Sequence, residues 1–530
     1  MLPDRILHPV STLCARIAGA FVVCLCLAGS AGAQSVGQEF IPLENWSYEA
    51  IERFEMLGMV KLPEDRPFNR LEFIKIVTRI SEAAFDQRLS PRDRYELDRL
   101  EKEFTNFASQ RDPQARYDPP VFYLEDKPVL FTMDIDLVGW GQRAPFDSVT
   151  TWWLQTNPDF QLHFGGHVTY DTRLKITLGP EREGREDDSK PTRRTRVFNG
   201  VTSLFERAYV VAAWEKFHFY LGRDFLDWGP SDWGNVIMPG QPYTVDQIGG
   251  RVRLKGLRLS FFNGTVSPYL DRHFAGHRLE IPFWKMVLGL NESVVYHGRG
   301  LDLIYFFPLS SFYANQFNER TNSDNIFWSI DAKIVNVLGA TLYTSLLIDD
   351  AQFERGEDDS PGTDKFALDV GGRYATGGRI PIGVRARYRF VDIYTYTHTD
   401  SLSYYLSGEA VPGVDMLLGG RPGPDSESWR VELEVFPRAN VSTRAIVLGQ
   451  SLGEGNDMRS WSPGDPTNPP FPSGVAERTR VYGLAGRWEF DRNMWIDAAW
   501  AYSERFNVNH EPDLDDTSHS FRVEVRYEFL

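Results

Sequence analysis

The sequence predicts an all-β transmembrane barrel of about 18 antiparallel strands with a small N-terminal α-helical domain. Three observations predict it. The chain ends on Phe521 to Leu530, where Phe521, Val523, Val525, Tyr527 and Phe529 share one face and Arg522, Glu524, Arg526 and Glu528 the other, the period of a strand. All three cysteines, Cys14, Cys24 and Cys26, lie in an N-terminal leader. Phe, Tyr and Trp make up 14% of the 530 residues, many of them at the ends of alternating segments, where amphipathic rings meet a membrane interface. In an exported, thiol-free chain of this kind the greasy face of the last strand points at lipid rather than at a soluble core.

Residues 1–33 read as a secretory signal peptide. Arg5 and Arg16 give the charged start, Ile17 to Ala28 the apolar run, and Ala31-Gly32-Ala33 a small-x-small cleavage site before Gln34. The run is shorter than the roughly 20 residues a membrane helix needs. Val23 before Cys24 and Leu25 before Cys26 exclude a lipoprotein site, which requires a small residue there. Cleavage leaves no cysteine, which suits an oxidising compartment. No later segment offers about 18 consecutive apolar residues, so the mature chain can cross a membrane only as a closed barrel. Its expected place is the bacterial outer membrane, among outer-membrane lipid and lipopolysaccharide, inserted by the barrel-assembly machinery. The formal charge of −16 opposes a nucleic-acid partner.

Residues 34–118 form the helical region. Tyr48, Ile51, Phe54 and Leu57 recur at three-residue steps, with Gly58 near the helix end. Asn69 is placed to cap a second helix through Leu71, Ile74, Val77 and Ile80. Ser90-Pro91 starts a third, with Asp93 at the positive end of its dipole and an apolar stripe of Leu97, Leu100, Phe104 and Phe107. Three short amphipathic helices need another surface to pack on. Gln110 to Pro120 closes this part.

Residues 119–530 form the barrel. Phe131, Met133, Ile135 and Leu137 alternate with Thr132, Asp134, Asp136 and Val138, and Val384, Ala386, Tyr388 and Phe390 with Arg385, Arg387 and Arg389. Val252 and Leu254 alternate with Arg251, Arg253 and Lys255; beyond Gly256, Leu257, Leu259 and Phe261 alternate with Arg258 and Ser260. Roughly nineteen such segments appear, and a bacterial barrel wants an even count near 16 or 18. Tight turns such as Pro437 to Asn440 and Asp491-Arg492-Asn493 belong to the periplasmic end, and Trp214-Glu215-Lys216 reads as another turn. Long polar connections near 181–203, 351–365, 399–426 and 452–476 belong outside. Trp140, Trp152, Trp153, Trp214, Trp495, Trp500 and Tyr502 sit near strand ends and are expected in the interfacial girdles.

Catalytic chemistry finds no foothold. There is no Gly-x-Ser-x-Gly elbow and no His-Glu-x-x-His, so neither a catalytic residue, a cofactor nor a metal is expected. His163 and His167 fall on one face of a strand pattern and read as polar lumen lining. With apolar faces outward, Arg251, Arg253, Lys255, Arg258, Arg385, Arg387 and Arg389 turn inward. Asp134, Asp136, Glu432, Glu434, Glu524 and Glu528 have the facing to pair with some of them. The alternative use of these arginines is a basic patch that grips carboxylates bidentately.

One segment departs from a general porin strand: Leu221-Gly222-Arg223-Asp224, then Asp227-Trp228-Gly229-Pro230-Ser231-Asp232-Trp233-Gly234. Together with Leu288-Gly289-Leu290-Asn291-Glu292-Ser293, Phe307-Pro308, Phe312-Tyr313 and Asp324-Asn325, in that order, it resembles the Wzi-like capsule-assembly outer-membrane barrels over most of the mature chain. The resemblance implies a monomeric 18-stranded barrel whose periplasmic mouth meets a helical bundle. It also implies a non-enzymatic lectin for capsular or extracellular polysaccharide. On that reading the candidate polysaccharide-binding residues are Trp228, Trp233, Tyr243 and Trp461, with Arg223, Arg251, Arg253, Arg385, Arg387 and Arg389, and the 225–245 segment is an inward or extracellular loop that touches glycan.

Two alternatives stay open. A porin passing small solutes or oligosaccharides would share the barrel. In the helical part Trp46, Ala50-Ile51, Leu57-Gly58, Pro67, Arg70 and Glu72 resemble a single S-layer homology repeat, which implies tethering to peptidoglycan.

Overall fold

The computed structural model describes residues 38–528 except 145–148, 180–194, 199–200, 319–323, 351–363, 409–414, 458, 463, 467–468 and 492. The signal peptide, most of the charged run 181–196 and the acidic run 354–359 lie outside the described residues. Three helices come first: α1 (Trp46–Met56), α2 (Arg70–Ala84) and α3 (Pro91–Leu100). Asn69 caps α2 in a capping box, accepting from the Glu72 N–H while the Glu72 carboxylate accepts from the Asn69 N–H. Ser90 caps α3 with Pro91 in the first turn, and Asn45 caps α1. The stripe expected through Phe107 stops early. The chain widens into a π-turn at Glu101–Thr105 and then extends at Asn106. Leu97, Leu100 and Phe104 are buried, while Phe107 stays 68% exposed.

Among the described residues eighteen strands follow and close on themselves. They are β1 (Val129–Arg143), β2 (Thr151–Phe164), β3 (Val168–Leu178), β4 (Val201–Ala213), β5 (Phe217–Trp228) and β6 (Met238–Leu254). Next come β7 (Leu257–Ser267), β8 (Arg272–Phe283), β9 (Met286–His297), β10 (Asn325–Val337), β11 (Ala340–Asp350) and β12 (Lys365–Thr376). The last are β13 (Ile382–Val391), β14 (Ser426–Arg438), β15 (Val441–Leu452), β16 (Glu477–Asp491), β17 (Met494–Phe506) and β18 (Asp516–Glu528). Each pairs antiparallel with the next, and β18 pairs with β1 from Phe521↔Arg143 to Glu528↔Asp136. Closure leaves the barrel no free edge for hydrocarbon to meet. Phe521, Val523 and Tyr527 are each 39% exposed on the outside, and Arg522 and Arg526 both pair with Glu524 inside. The terminal alternation therefore divides lipid from lumen.

Connections alternate in length. Short turns follow β2, β4, β6, β8, β10, β12, β14 and β16; the long connections 298–324, 392–425 and 453–476 lie at the other end. The helical bundle plugs the short-turn end and contacts the wall around it. Gln38 donates to Gly166 O (3.2 Å) and Lys61 to Trp284 O (2.9 Å). Arg53 donates to Thr376 O (3.0 Å) and Tyr95 to Glu489 (3.1 Å). Gly58 sits so close to Asn336 that a Cβ there would lie 2.7 Å from Nδ2.

Buried ion pairs fix the plug. Arg251 meets Asp65 (2.7 Å) and Glu72 (3.0 Å), and Arg258 meets Glu72 (2.5 Å) and Asp65. Lys333 meets Glu55 (2.6 Å) and Glu64, Arg385 meets Glu52 (3.2 Å), and Arg173 meets Glu44 (2.6 Å). Lys255 does not join them, because it sits exposed in the tight turn after β6 at φ 50°. The carboxylates on the plug answer to this setting. Burial alone would raise Glu39 and Glu52, but the charges of Arg70 beside the first and of Arg66 and Arg385 beside the second outweigh it and hold both at about 2.

The opposite half of the lumen is filled by two connections that fold inward, 229–237 and the described parts of the next long one, 392–408 and 415–425. Trp228, Val236, Ile237, Met238, Tyr396, Tyr405 and Leu418 pack on the inner face of β7–β12 through Phe262, Phe274, Phe327 and Leu347. The main hydrophobic core of the barrel thus sits in its lumen.

Glu72→Gln leaves Arg251 and Arg258 facing one anion instead of two, and breaking a buried pair of this kind costs about 3–5 kcal/mol. Hydrogen exchange of residues 46–105 is expected to accelerate while the strands stay protected. The depressed carboxylates set a pH window. In the unfolded chain Glu titrates near 4.3, so the stabilisation is complete above that value and is lost as pH falls towards about 2. Exchange followed from pH 6 to pH 2 should show the plug loosening only below about pH 4.

Candidate functional site

Opposite the filled sector, β14–β18 and β1–β2 turn small or polar side chains inward and leave an open vestibule. Three cross-strand rows build it. The lowest runs Ser442, Arg487, Asp497, Glu524, Trp140, Trp153. Above it run Arg444, Ala485, Ala499, Arg522, Gln142, Thr151, and above those Ile446, Gly483, Ala501, Ser520. Small residues in the upper rows hold the wall back, so a cavity of about 310 Å³ remains, lined by Gln142, Ile446, Val481, Ala485, Ala499 and Arg522 among others.

The floor is ionic. Arg487 pairs with Asp497 (2.7 Å), and Arg444 with Glu434 (2.9 Å). Both arginines also reach Glu49 of α1, at 3.5 and 3.4 Å, so the plug supplies part of the floor. Glu49 is half exposed to the vestibule; its enclosure by the lumen opposes charge, yet Arg444, Arg487 and Arg385 together hold its carboxyl below the usual range. On one side the Trp140 and Trp153 rings stack, with centroids 5.6 Å apart and planes at 14°. Trp140 is 3% exposed, so Trp153 carries the reachable part of the pair. The Arg522 guanidinium lies 5.7 Å from the Trp140 ring and its side chain is 40% exposed. An aromatic face beside donors and acceptors of both signs suits a polyhydroxylated ligand better than an apolar one. Among the described residues no group of three His, Cys, Asp or Glu side chains is placed to hold a metal.

The residues singled out in the sequence are scattered by the fold. Trp228 is 1% exposed and meets Phe262 edge-on, so it is a core residue and presents no ring to a ligand. Trp233, on the inward 229–237 connection, is half-buried at φ 59°, a backbone that bulky residues rarely adopt. Arg387 holds its carbonyl (3.2 Å), and the Arg430 guanidinium lies 4.2 Å from its ring. Tyr243 has a side chain outside the described residues. Trp461 lies half-buried in the 453–476 connection and donates to Asp465 O (3.3 Å). Arg223 faces the outer wall, where it grips Asp246 at 2.6 and 2.8 Å.

The inward arginines form no open basic patch. Arg251 and Arg253 face the plug's Glu72, while Arg385 faces Glu52 of the plug and also Asp232. Arg387 and Arg389 brace the inward connection through Trp233 O and Gly234 O, and Arg389 also pairs with Asp369 (2.6 Å). Apart from Asp369 on β12, these acceptors come from the helical bundle and from a loop, neither of which strand alternation can locate.

Trp140, Trp153 and Trp495 are not girdle residues, since their register turns them inward; the Arg526 guanidinium lies 5.4 Å from the Trp495 ring. His167 lies in the turn after β2 and bonds Ala213 O, so it does not share the strand face of His163. The residues behind the S-layer-like resemblance are largely committed inside: Ile51 is buried, Arg70 pairs with Glu39 and Glu103, and Glu72 binds Arg251 and Arg258. Sequence reasoning missed Arg444, Arg487, Arg522 and Trp153. The signal was present in the small inward residues Gly483, Ala485, Ala499 and Ala501 at matching register.

No family model matches the sequence, and no curated protein matches it. The fold is similar to that of Wzi, a carbohydrate-binding outer-membrane β-barrel involved in group 1 capsule assembly in Escherichia coli. The two align with a TM-score of 0.58 at 12% identity, covering 94% of this chain and 99% of that one. A BenF-like porin from Pseudomonas fluorescens Pf-5 aligns with a TM-score of 0.45 at 11% identity, covering 75% and 98%.

Proposed function

We propose that the protein is a plugged, non-catalytic barrel of the bacterial outer membrane that holds capsular or extracellular polysaccharide in its outer vestibule. The observation that carries this reading is the open sector itself. Its walls are small, its floor is charged, and it is flanked by Trp153 and Arg522, while the short-turn end beneath it is occupied by the helical bundle. A solute channel has no use for a blind pocket with an aromatic edge. A polymer strand anchored from outside does, since rings stack on sugar faces and guanidinium groups bridge hydroxyl or carboxylate oxygens. The carbohydrate-binding barrel with this fold lends support. In this reading the protein acts as a monomer surrounded by lipid and lipopolysaccharide, placed there by the barrel-assembly machinery, and the polymer is its partner.

Arg522→Ala removes a charge-assisted donor worth roughly 1.5–3 kcal/mol when enclosed; at its partial exposure the lower end applies, about a tenfold loss of affinity. Trp153→Ala should weaken binding to a similar degree. Ala501→Trp fills the cavity and is expected to abolish binding while the barrel stays folded. Polymer retained on cells, with released polymer counted separately, measures all three. Unchanged retention in correctly inserted variants removes the vestibule from consideration. Large, steady conductance of the purified protein in planar bilayers overturns the plugged barrel in favour of a porin.

A further inference from the structure

The outer wall is not uniformly apolar. Over β5–β9 a row of outward side chains reads Arg223, Asp246, Thr265, His273, Tyr296. Two rows lower, His277 and Glu292 face out beside Phe261 and Trp328. Phe283, which stands 67% exposed beside the short turn, lies six residue steps along β8 from His277. At about 3.3 Å per residue and a tilt of about 40°, that is about 15 Å of height, inside the apolar band of a barrel this size. At equal depth on the far side the outward residues are Val431, Leu433, Leu484 and Trp500. A carboxylate among acyl chains is strongly disfavoured, so Glu292 needs cover.

The segment 298–318 supplies it by folding down the outside of the wall. Its short helix α4 (Phe312–Asn318) starts directly on Glu292, whose carboxylate accepts from Phe312 N–H (2.9 Å), Tyr313 N–H (2.9 Å) and Trp328 Nε1 (3.0 Å). Phe312 packs on His277 with centroids 4.5 Å apart. Phe306 covers Phe261, and Asp302 O accepts from Asn263 (2.7 Å). Tyr305 and Phe312 join the outward Ala275, Val294 and Tyr296 in a small core of their own. The other side of this segment is greasy and unpartnered: Leu309 is 88% exposed, Leu303 69% and Phe307 61%. It continues the outward surface of Leu290 and Ile330 immediately below, 38% and 47% exposed.

We propose that residues 301–318 are a strap lying in the outer leaflet, polar side sealing the notch around Glu292 and apolar side facing lipid acyl chains. Its occupant is lipid because the strap prolongs the barrel's own apolar belt at the same height. The inference rests on the membrane-barrel reading, and the test separates the two. The mature chain holds no native cysteine, so single-cysteine variants Leu309→Cys, Leu484→Cys and Ser462→Cys can each carry an environment-sensitive fluorophore in nanodiscs. Leu484 is on the outward wall and Ser462 is exposed on the 453–476 connection. The expected result is quenching of Leu309→Cys by spin-labelled acyl chains to within about twofold of Leu484→Cys, with aqueous iodide quenching only Ser462→Cys. Leu309→Cys quenched by iodide like Ser462→Cys overturns the strap. So does lipid-independent shielding of that label together with a disulfide between two copies of the unlabelled Leu309→Cys variant under a mild oxidant, which makes the face a dimer contact. Absence of acyl-chain quenching at Leu484→Cys sinks the membrane barrel itself.

Discussion

A guanidinium turned into the lumen of a closed barrel has to find an anion there. Among the described residues the carboxylates in ion-pair contact with Arg251 and Arg258 are Asp65 and Glu72, and both come from the helical bundle rather than from the wall. Hence the plug is a condition of the barrel's charge balance as much as an appendage to it. Glu72 ties this to local folding, because the same carboxylate that accepts from the Asn69 N–H in the capping box also receives both arginines. Helix initiation and docking into the wall converge on one side chain.

The same demand shapes the other end. Arg373, Arg387 and Arg389 find carbonyl oxygens of Pro230, Asp232, Trp233 and Gly234 as well as the carboxylates of Asp232 and Asp369. Guanidinium groups can order an irregular segment in this way because each offers several donors in a fixed plane. Where the wall instead carries Gly483, Ala485, Ala499 and Ala501, no loop is drawn in among the described residues, and room for a ligand remains. Inward side-chain size thus decides which half of the lumen is structure and which half is site.

Much of this was legible in the sequence, but unevenly. Asn69, Ser90 and Pro91 mark helix starts because capping is local chemistry, and Phe521 to Leu530 declares its faces because period two needs no partner. Trp140 and Trp153 were misassigned for the converse reason: a tryptophan near a strand end belongs to a girdle only if its parity points outward, and composition carries no parity. Trp228 looked like a presented ring because Gly229-Pro230 follows it; the turn exists, but it dives into Phe262 instead of projecting. Arg223 is the opposite case. The pairing of β5 with β6 runs unbroken from Phe217↔Val252 to Phe225↔Thr244, so Arg223 keeps the outward parity of Phe219 and Leu221, and its place on the outer wall follows from alternation rather than from the Gly222-Arg223 pair that drew attention to it.

The two faces of the wall make one asymmetry. Over β7–β10 the sheet has protein on both sides, the inward connections with Phe262, Phe274 and Phe327 within and the 301–318 segment with Phe306 and Phe312 without. Over β15–β18 it is a single layer, with an open cavity inside and exposed Leu484, Trp500 and Phe521 outside. A sheet packed on both faces resists bending, since its side chains interdigitate in two directions. A single layer of small residues keeps its shape only through its neighbours in the closed ring. The buttressed flank therefore holds the circumference, and the thin flank can give up inward side chains to leave space for a ligand without the barrel collapsing onto it.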